Sequence, residues 1–282
     1  MIRHLAGEYP LSVLCEVLGV ARSTVYYEAG VRTEESALLE AIETLLMRWP
    51  FYGYRRVTAQ LKRAGWEVGE RRVRRLLGVL EHTASVGRVR VTTTHSQHDL
   101  PRFPNLLTGL DITGPHQVWV ADITYLRLGL RFIYLAVILD AFTRAVRGWH
   151  LSTSLDTATL TSQALRKALA CHPAPAIHHS DQGVQYATLA YRALLPATTQ
   201  ISMAAAGQPT QNGLVERFIR TLKEEHVDHT EYADYDDACR QLAHWLDVEY
   251  MTERIHSALG YLTPAEYEAA CLSAPDSLLC PA

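Results

Sequence analysis

The sequence predicts an α/β protein, a mixed sheet flanked by helices and preceded by small, arginine-rich helical segments. Three observations predict it. Strand-like runs cluster in VWVADITYLRL, GLRFIYLAVILD and AVRGWHLS, between residues 118 and 152. Helical and strand-like patterns then alternate to about residue 250, and residues 35–80 read as helices alone. Strands first and helices interspersed later describe a sheet with helices packed on it.

Composition bounds the rest. At 282 residues, 48% apolar and 20% charged, the chain can bury one sizeable core and carry a small second domain. Its formal net charge of −3 hides an asymmetry: residues 48–90 hold eleven Lys/Arg against three Asp/Glu, while residues 91–282 hold thirteen against twenty. A basic segment beside an acidic body suggests local contact with a polyanion. Cys15, Cys171, Cys239, Cys271 and Cys280 are scattered without CxxC spacing, which supports neither a zinc site nor a disulfide framework and suits a reducing, cytoplasmic setting. The apolar run FIYLAVIL, residues 132–139, is too short to span a bilayer, and the N-terminus lacks the apolar core of a signal peptide, so no membrane is expected.

Residues 1–30 carry helix-turn-helix spacing, with Leu11, Leu14, Cys15 and Leu18 on one face, a break at Gly19, and Ser23, Val25 and Tyr26 opening a second short helix. A second, basic helical domain covers 35–83. SALLEAIETLLMRW is an amphipathic helix ended by Pro50, and helices at 55–63 and 70–78 flank the AGW turn. Arg55, Arg56, Lys62, Arg63, Arg71, Arg72, Arg74 and Arg75 surround their apolar positions. Such a density of cations suits phosphate contacts, or else keeps a helical hairpin soluble. Tyr52 and Tyr54 frame Gly53, where aromatics pin a core more often than they stack on bases.

Residues 84–116 read as a linker, with a polar run and two solvated histidines, His95 and His98. The main body spans 117–270. Gly129 turns the first hairpin, and LDTATLTSQALRKALA is a helix capped by Ser154 or Asp156. A short strand AIHHS ends on Asp181, a helix covers 187–195, and TQISM is a further strand. Helices at 213–225 and 234–250 follow the turn AAGQPTQNG, and Met203 and Trp245 belong to the core.

Three acids lie on separate elements of that body. Asp122 interrupts an apolar strand, Asp181 ends another, and Glu216 lies on a helix. A lone carboxylate among packed strand residues is costly unless it faces a polar site. Taken singly, each acid reads better as a surface ion pair or a helix cap, and spacing alone does not overturn that. Held together at one sheet edge they would repel one another, and hard divalent cations such as Mg²⁺ or Mn²⁺ would join them. Two such ions support in-line phosphoryl transfer by activating a water or a 3′-hydroxyl and stabilising the leaving oxygen.

The motifs VWVADITYL, AVILDAFTRAVRGW, HHSDQGVQY, ISMAAAGQPTQNGLVERFIRTLKEE and RIHSALGYLTPAEY carry a resemblance that covers most of the chain. The sequence resembles the OrfB-type transposases of bacterial insertion sequences, whose catalytic core is similar to that of retroviral integrases. The resemblance implies an RNase H-like fold in which Asp122, Asp181 and Glu216 are the catalytic, metal-binding triad, with two Mg²⁺ ions that Mn²⁺ can replace. It places Asn212, His179, Ser180, Gln185 and His256 in supporting positions and lets Lys223, seven residues after Glu216, reach DNA phosphates. Two departures stand out. Gln211-Asn212-Gly213 replaces the family's common Asp-Asn-Ala, and the 34 residues between Asp181 and Glu216 are one fewer than usual.

The implied function is binding of terminal inverted repeats, strand cleavage and strand transfer into target DNA. The alternatives are an RNase H-like nuclease without strand transfer and a decayed DNA-binding protein. The implied partners are double-stranded DNA, further copies of the chain assembled on it, and a small upstream helix-turn-helix protein or frameshift fusion partner. The implied location is the bacterial cytoplasm, in association with the nucleoid.

Overall fold

The computed structural model describes residues 10–19, 33–82, 101–205 and 209–273. Ser23, Val25, Tyr26, His95 and His98 lie outside these segments. The chain divides into two compact units, Met1–Ala84 and Ser85–Ala282.

The first unit is helical. Helix α1 (Leu11–Val17) is followed by Gly19 at φ 62°, a left-handed position that glycine adopts without a Cβ clash. Helix α2 (Thr33–Arg48) stops before Pro50 and buries Leu38 and Ile42, four residues apart on one face. Helices α3 (Tyr54–Arg63) and α4 (Glu70–Val79) bury Val57 and Leu61, and Val73, Leu76 and Leu77. Between them Gly65, at φ 86°, closes α3 while Trp66 N–H donates to the Leu61 carbonyl at 2.9 Å. That is the glycine-dependent helix stop expected of the AGW turn.

The second unit is built on a five-stranded sheet. Strands β1 (Val118–Leu128), β2 (Arg131–Asp140) and β3 (Val146–Ser152) are antiparallel, and Gly129 at φ 57° turns the first hairpin. Strands β4 (Ile177–Ser180) and β5 (Gln200–Met203) run parallel to β1, giving the order β3-β2-β1-β4-β5. This is the mixed, RNase H-like sheet that the motifs imply.

Both faces of the sheet are covered, which is why its central strands are apolar almost throughout. On one face helix α5 (Thr161–Cys171) packs Ala164, Leu165 and Ala168 against Trp119, Ala121 and Ile138. The approach is so close that a Cβ on Gly148 of β3 would lie 2.5 Å from the Ala164 carbonyl oxygen. On the other face helices α8 (Gly213–Glu225) and α9 (Tyr235–His244) pack Val215, Phe218, Leu222 and Leu242 against Val118, Val120, Val137 and Leu139. Met203 and Trp245 are buried as expected.

Helix α10 (Pro264–Ser273) is tied to the sheet by an ion-pair network. Arg147 reaches Glu268 at 2.6 Å and Asp140 at 3.1 Å, while Asp140 also accepts from the backbone of His116, Phe142 and Thr143. A buried carboxylate with this many donors is fully engaged structurally.

Four local expectations change. The helix expected at 187–195 is two short ones, α6 (Val184–Ala187) and α7 (Leu189–Arg192). Extended Thr188 separates them, and its hydroxyl accepts from Tyr191 N–H to start the second. The helix expected at 234–250 is α-helical only to His244 and continues as a π-helix over Trp245–Glu253. The wider π turn lets Trp245, Leu246 and Tyr250 all enter the core. Asp156 caps a turn at Ala158 and Thr159, ahead of α5, and does not start that helix itself. Finally, the described residues 101–117 ahead of β1 hold no regular element, yet Leu107, Leu110 and Ile112 pack against the core.

Candidate active site

The register of β1 on β4 builds the site. Ala121 lies beside Ser180, the last residue of β4. The residues that follow, Asp122 within β1 and Asp181 just past the end of β4, therefore stand at the same level. Beyond Ala121 strand β1 has no β4 neighbour, and the Asp122 carboxylate accepts from Ile123 N–H at 2.8 Å. Asp181 folds back in the same way, with Oδ1 accepting from Gly183 N–H at 2.9 Å. A Cβ on Gly183 would stand 2.9 Å from that oxygen, so the glycine leaves room for the carboxylate.

Helix α8 brings the third acid. Asn212, just ahead of it and buried, donates from Nδ2 to the Ala121 carbonyl at 3.4 Å. That bond fixes the start of the helix beside the residue preceding Asp122, with Glu216 in the first turn. The electrostatics record the convergence. Burial pushes the Asp122 carboxyl well above the usual carboxylate range, Asp181 and Glu216 push it further, and Ile123 N–H and Lys223 oppose the rise. Glu216 is raised by partial burial and then by Asp181. Like charges brought together in a low-dielectric setting disfavour full ionisation.

The supporting residues divide. His179 is buried, with Nδ1 on Ser202 Oγ at 2.8 Å and Nε2 on the Gln211 carbonyl at 3.1 Å, so it joins β4, β5 and the approach to α8. Ser180 Oγ donates to the Asp181 carbonyl at 2.9 Å. Gln185 donates to the Leu155 carbonyl at 3.4 Å, and its Oε1 would crowd a Cβ on Gly183. His256 lies against the Tyr250 ring, 5.0 Å between centroids, and beside Arg254. Lys223 holds its ammonium 4.7 Å from the centroid of the Tyr125 ring.

Sequence reasoning missed Tyr186. Its side chain is buried, its hydroxyl has no hydrogen-bond partner among the described residues, and Asp122 and Asp181 are among its electrostatic neighbours. The available signal was its position as the last residue of HHSDQGVQY.

In the helical unit the cations are unequal. Arg72 and Arg75 pair with the buried Glu35 of α2. Arg55 and Arg74 both lie on the Tyr54 ring, at 5.1 and 5.6 Å, and Arg56 lies on buried Tyr52 at 5.1 Å. Lys62, Arg63 and Arg71 are exposed.

Among the described residues no group of three or more His, Cys, Asp or Glu is spaced to hold a metal ion as it stands. The donor chemistry nevertheless fits a hard divalent cation, since three carboxylates raise one another's affinity for positive charge. No described helix is long and apolar enough to cross a membrane.

Comparison with known proteins places the chain in a family. Family models of the integrase core domain match residues 112–209 and 197–264, and one of an HTH-like domain matches residues 33–90. These matches, on this fold, define an integrase-core protein of the polynucleotidyl transferase type. The chain is 34% identical over 264 residues to the insertion element IS600 31 kDa protein of Shigella sonnei, covering 90% of this chain and 97% of that one. It is 32% identical over 281 residues to the transposase InsF for insertion sequence IS3A of Escherichia coli, covering 94% and 96%. A weaker likeness, at 17% identity and a TM-score of 0.48, joins 82% of this chain to 73% of a chain in a simian T-cell lymphotropic virus intasome structure. The chain belongs to the insertion-sequence transposases, proteins of DNA transposition.

Proposed function

We propose that Asp122, Asp181 and Glu216 are the catalytic carboxylates of this transposase and that they bind two Mg²⁺ ions, which Mn²⁺ can replace. The β1–β4 register carries the reading, because it sets Asp122 and Asp181 side by side and lets Asn212 tether α8 to the same point. When bound, the ions would supply the electrostatic stabilisation that phosphoryl transfer needs. Ile123 N–H and Gly183 N–H each occupy one oxygen of a carboxylate, which orients Asp122 and Asp181. His179 and Asn212 fix the backbone around them. Lys223 would meet a phosphate of the terminal DNA.

In this reading the protein cuts DNA at the ends of its element and transfers the freed 3′-hydroxyl ends to new phosphodiesters. The helical unit binds the terminal repeats, through Arg55, Lys62, Arg71 and Arg74 more than through Arg72 and Arg75, which hold Glu35. Two element ends call for at least two copies of the chain on DNA, and an upstream-encoded helix-turn-helix protein or fusion would complete end recognition. The setting is the bacterial cytoplasm.

The test offers a linear duplex, carrying the repeats that flank the coding region, to wild type and to Glu216→Gln with Mg²⁺ or Mn²⁺. Wild type is expected to cleave and join, and the variant to bind without doing either. Equal activity in both would remove Glu216 from the triad, and cleavage without joining would reduce the protein to a nuclease.

A further inference from the structure

We propose that Tyr125 is a positioning residue for Lys223, its ring holding the ammonium where a DNA phosphate reaches the acidic site. The inference deepens the reading of Lys223 given above and rests on it.

The geometry is specific. The Lys223 nitrogen stands 4.7 Å from the Tyr125 ring centroid, within the range of a cation–π contact. Asp122 and Asp228 are its electrostatic neighbours, yet among the described residues Lys223 forms no ion pair within 4.0 Å. That difference decides what the lysine can do. A carboxylate partner would have to be displaced before a phosphate could take the ammonium. An aromatic face restrains the ammonium without a contact ion pair, so a phosphate can take it directly.

The ring is itself held. Phe132 of β2 meets Tyr125 edge to face, with centroids 5.4 Å apart and planes at 89°. Phe132 is 53% exposed, so holding the neighbouring ring accounts for an apolar side chain that the core does not absorb. Tyr125 lies on the part of β1 that β4 does not cover, since β4 ends opposite Ala121. The ring, the ammonium and Asp122 thus share the open end of the site. A four-carbon lysine stem samples many rotamers when free, and ordering it before DNA arrives reduces the entropy lost on binding.

The contact uses the ring face, so the phenol oxygen is dispensable. That gives the test a conservative control. Full-length wild type, Tyr125→Phe, Tyr125→Leu, Lys223→Gln and Tyr125→Leu/Lys223→Gln would be assayed for single-turnover cleavage of the terminal-repeat duplex, with Glu216→Gln as the inactive reference. Tyr125→Phe is expected to match wild type, and Tyr125→Leu to be slower by about five- to tenfold. In the Lys223→Gln background the Tyr125→Leu change should have no further effect, because the tyrosine acts only through the lysine. Additive losses, or a Tyr125→Phe as impaired as Tyr125→Leu, would overturn the proposal.

A second measurement needs no activity. The ε-methylene protons of Lys223 should show an upfield ring-current shift that survives in Tyr125→Phe and disappears in Tyr125→Leu, and its absence from wild type would overturn the contact. If Lys223→Gln cleaves and binds like wild type, the reading of Lys223 fails and the positioning role fails with it. If Glu216→Gln remains active, the triad reading fails separately.

Discussion

Arg254 and Glu225 meet through two parallel hydrogen bonds, Nε to Oε2 at 2.6 Å and a terminal nitrogen to Oε1 at 2.7 Å, with both side chains more than nine-tenths buried. Glu225 is the last residue of α8, the helix that carries Glu216 and Lys223, and Arg254 directly follows the π-helix. The pair therefore locks the far end of the helix whose near end Asn212 tethers.

Breaking this pair should be costly. Removing one partner strands a buried charge, so Arg254→Met is expected to lower unfolding stability by about 3–5 kcal/mol. Arg254→Met/Glu225→Met should recover much of that loss, because neither charge remains. Urea unfolding of the two variants checks this, and a double variant no better than the single one would contradict it.

Gly183→Ala should separate stability from activity. Gly183 has φ −64°, which alanine adopts freely, so the backbone is unstrained by the change. The new methyl would instead press on the Asp181 carboxylate, 2.9 Å away. Thermal stability is expected to stay within about 1 kcal/mol of wild type, while cleavage falls by about tenfold or more from misplacing a reacting group. Unchanged cleavage would show that Asp181 need not be where it lies.

His226 makes stability depend on pH. Burial against Trp245, together with nearby His244, lowers its pKa to about 4, and Nε2 has no partner among the described residues. The unfolded chain protonates this histidine near pH 6.5 and the folded chain only near 4, so the unfolded state holds the extra proton between those values. Stability contributed at neutral pH is thus lost as pH falls through that window, by up to about 1.4 kcal/mol per pH unit for this group. His226→Phe should flatten the slope by that amount in urea midpoints measured from pH 7 to 4.5. His178, also lowered to about 4 by burial, would add a dependence of the same sign.

The arginines of α4 should sort into two kinds. Arg72→Met and Arg75→Met are expected to destabilise the helical unit, because each loosens buried Glu35. Arg71→Ala should leave stability nearly unchanged, weaken binding of any duplex similarly, and reduce the salt slope by about one. Fluorescence anisotropy across a salt series, beside melting curves, distinguishes the two.

The strand carrying Asp122 and the strand end at Asp181 were legible because their apolar runs are interrupted by single acids that no local cap explains. The motif text around them supplied the fold. The grouping of the acids was legible only through the motif resemblance; the means of it was not, because it depends on register between strands distant in sequence and on a tether from Asn212 to a main-chain carbonyl. The arginine density was plain, but the partner that occupies Arg72 and Arg75 lies on another helix. The π-helix was hidden for a different reason, since Trp245, Leu246 and Tyr250 suit either helical pitch over so short a span.

The unequal lengths of β1 and β4 give the acids unequal footing. Asp122 rides on an eleven-residue strand paired along its length to β2, whereas Asp181 hangs from a four-residue strand. One carboxylate is framed by strand on both sides, the other by strand on one side only. Any adjustment between the two carboxylates would therefore fall to the loop after β4, and the sheet would stay at rest.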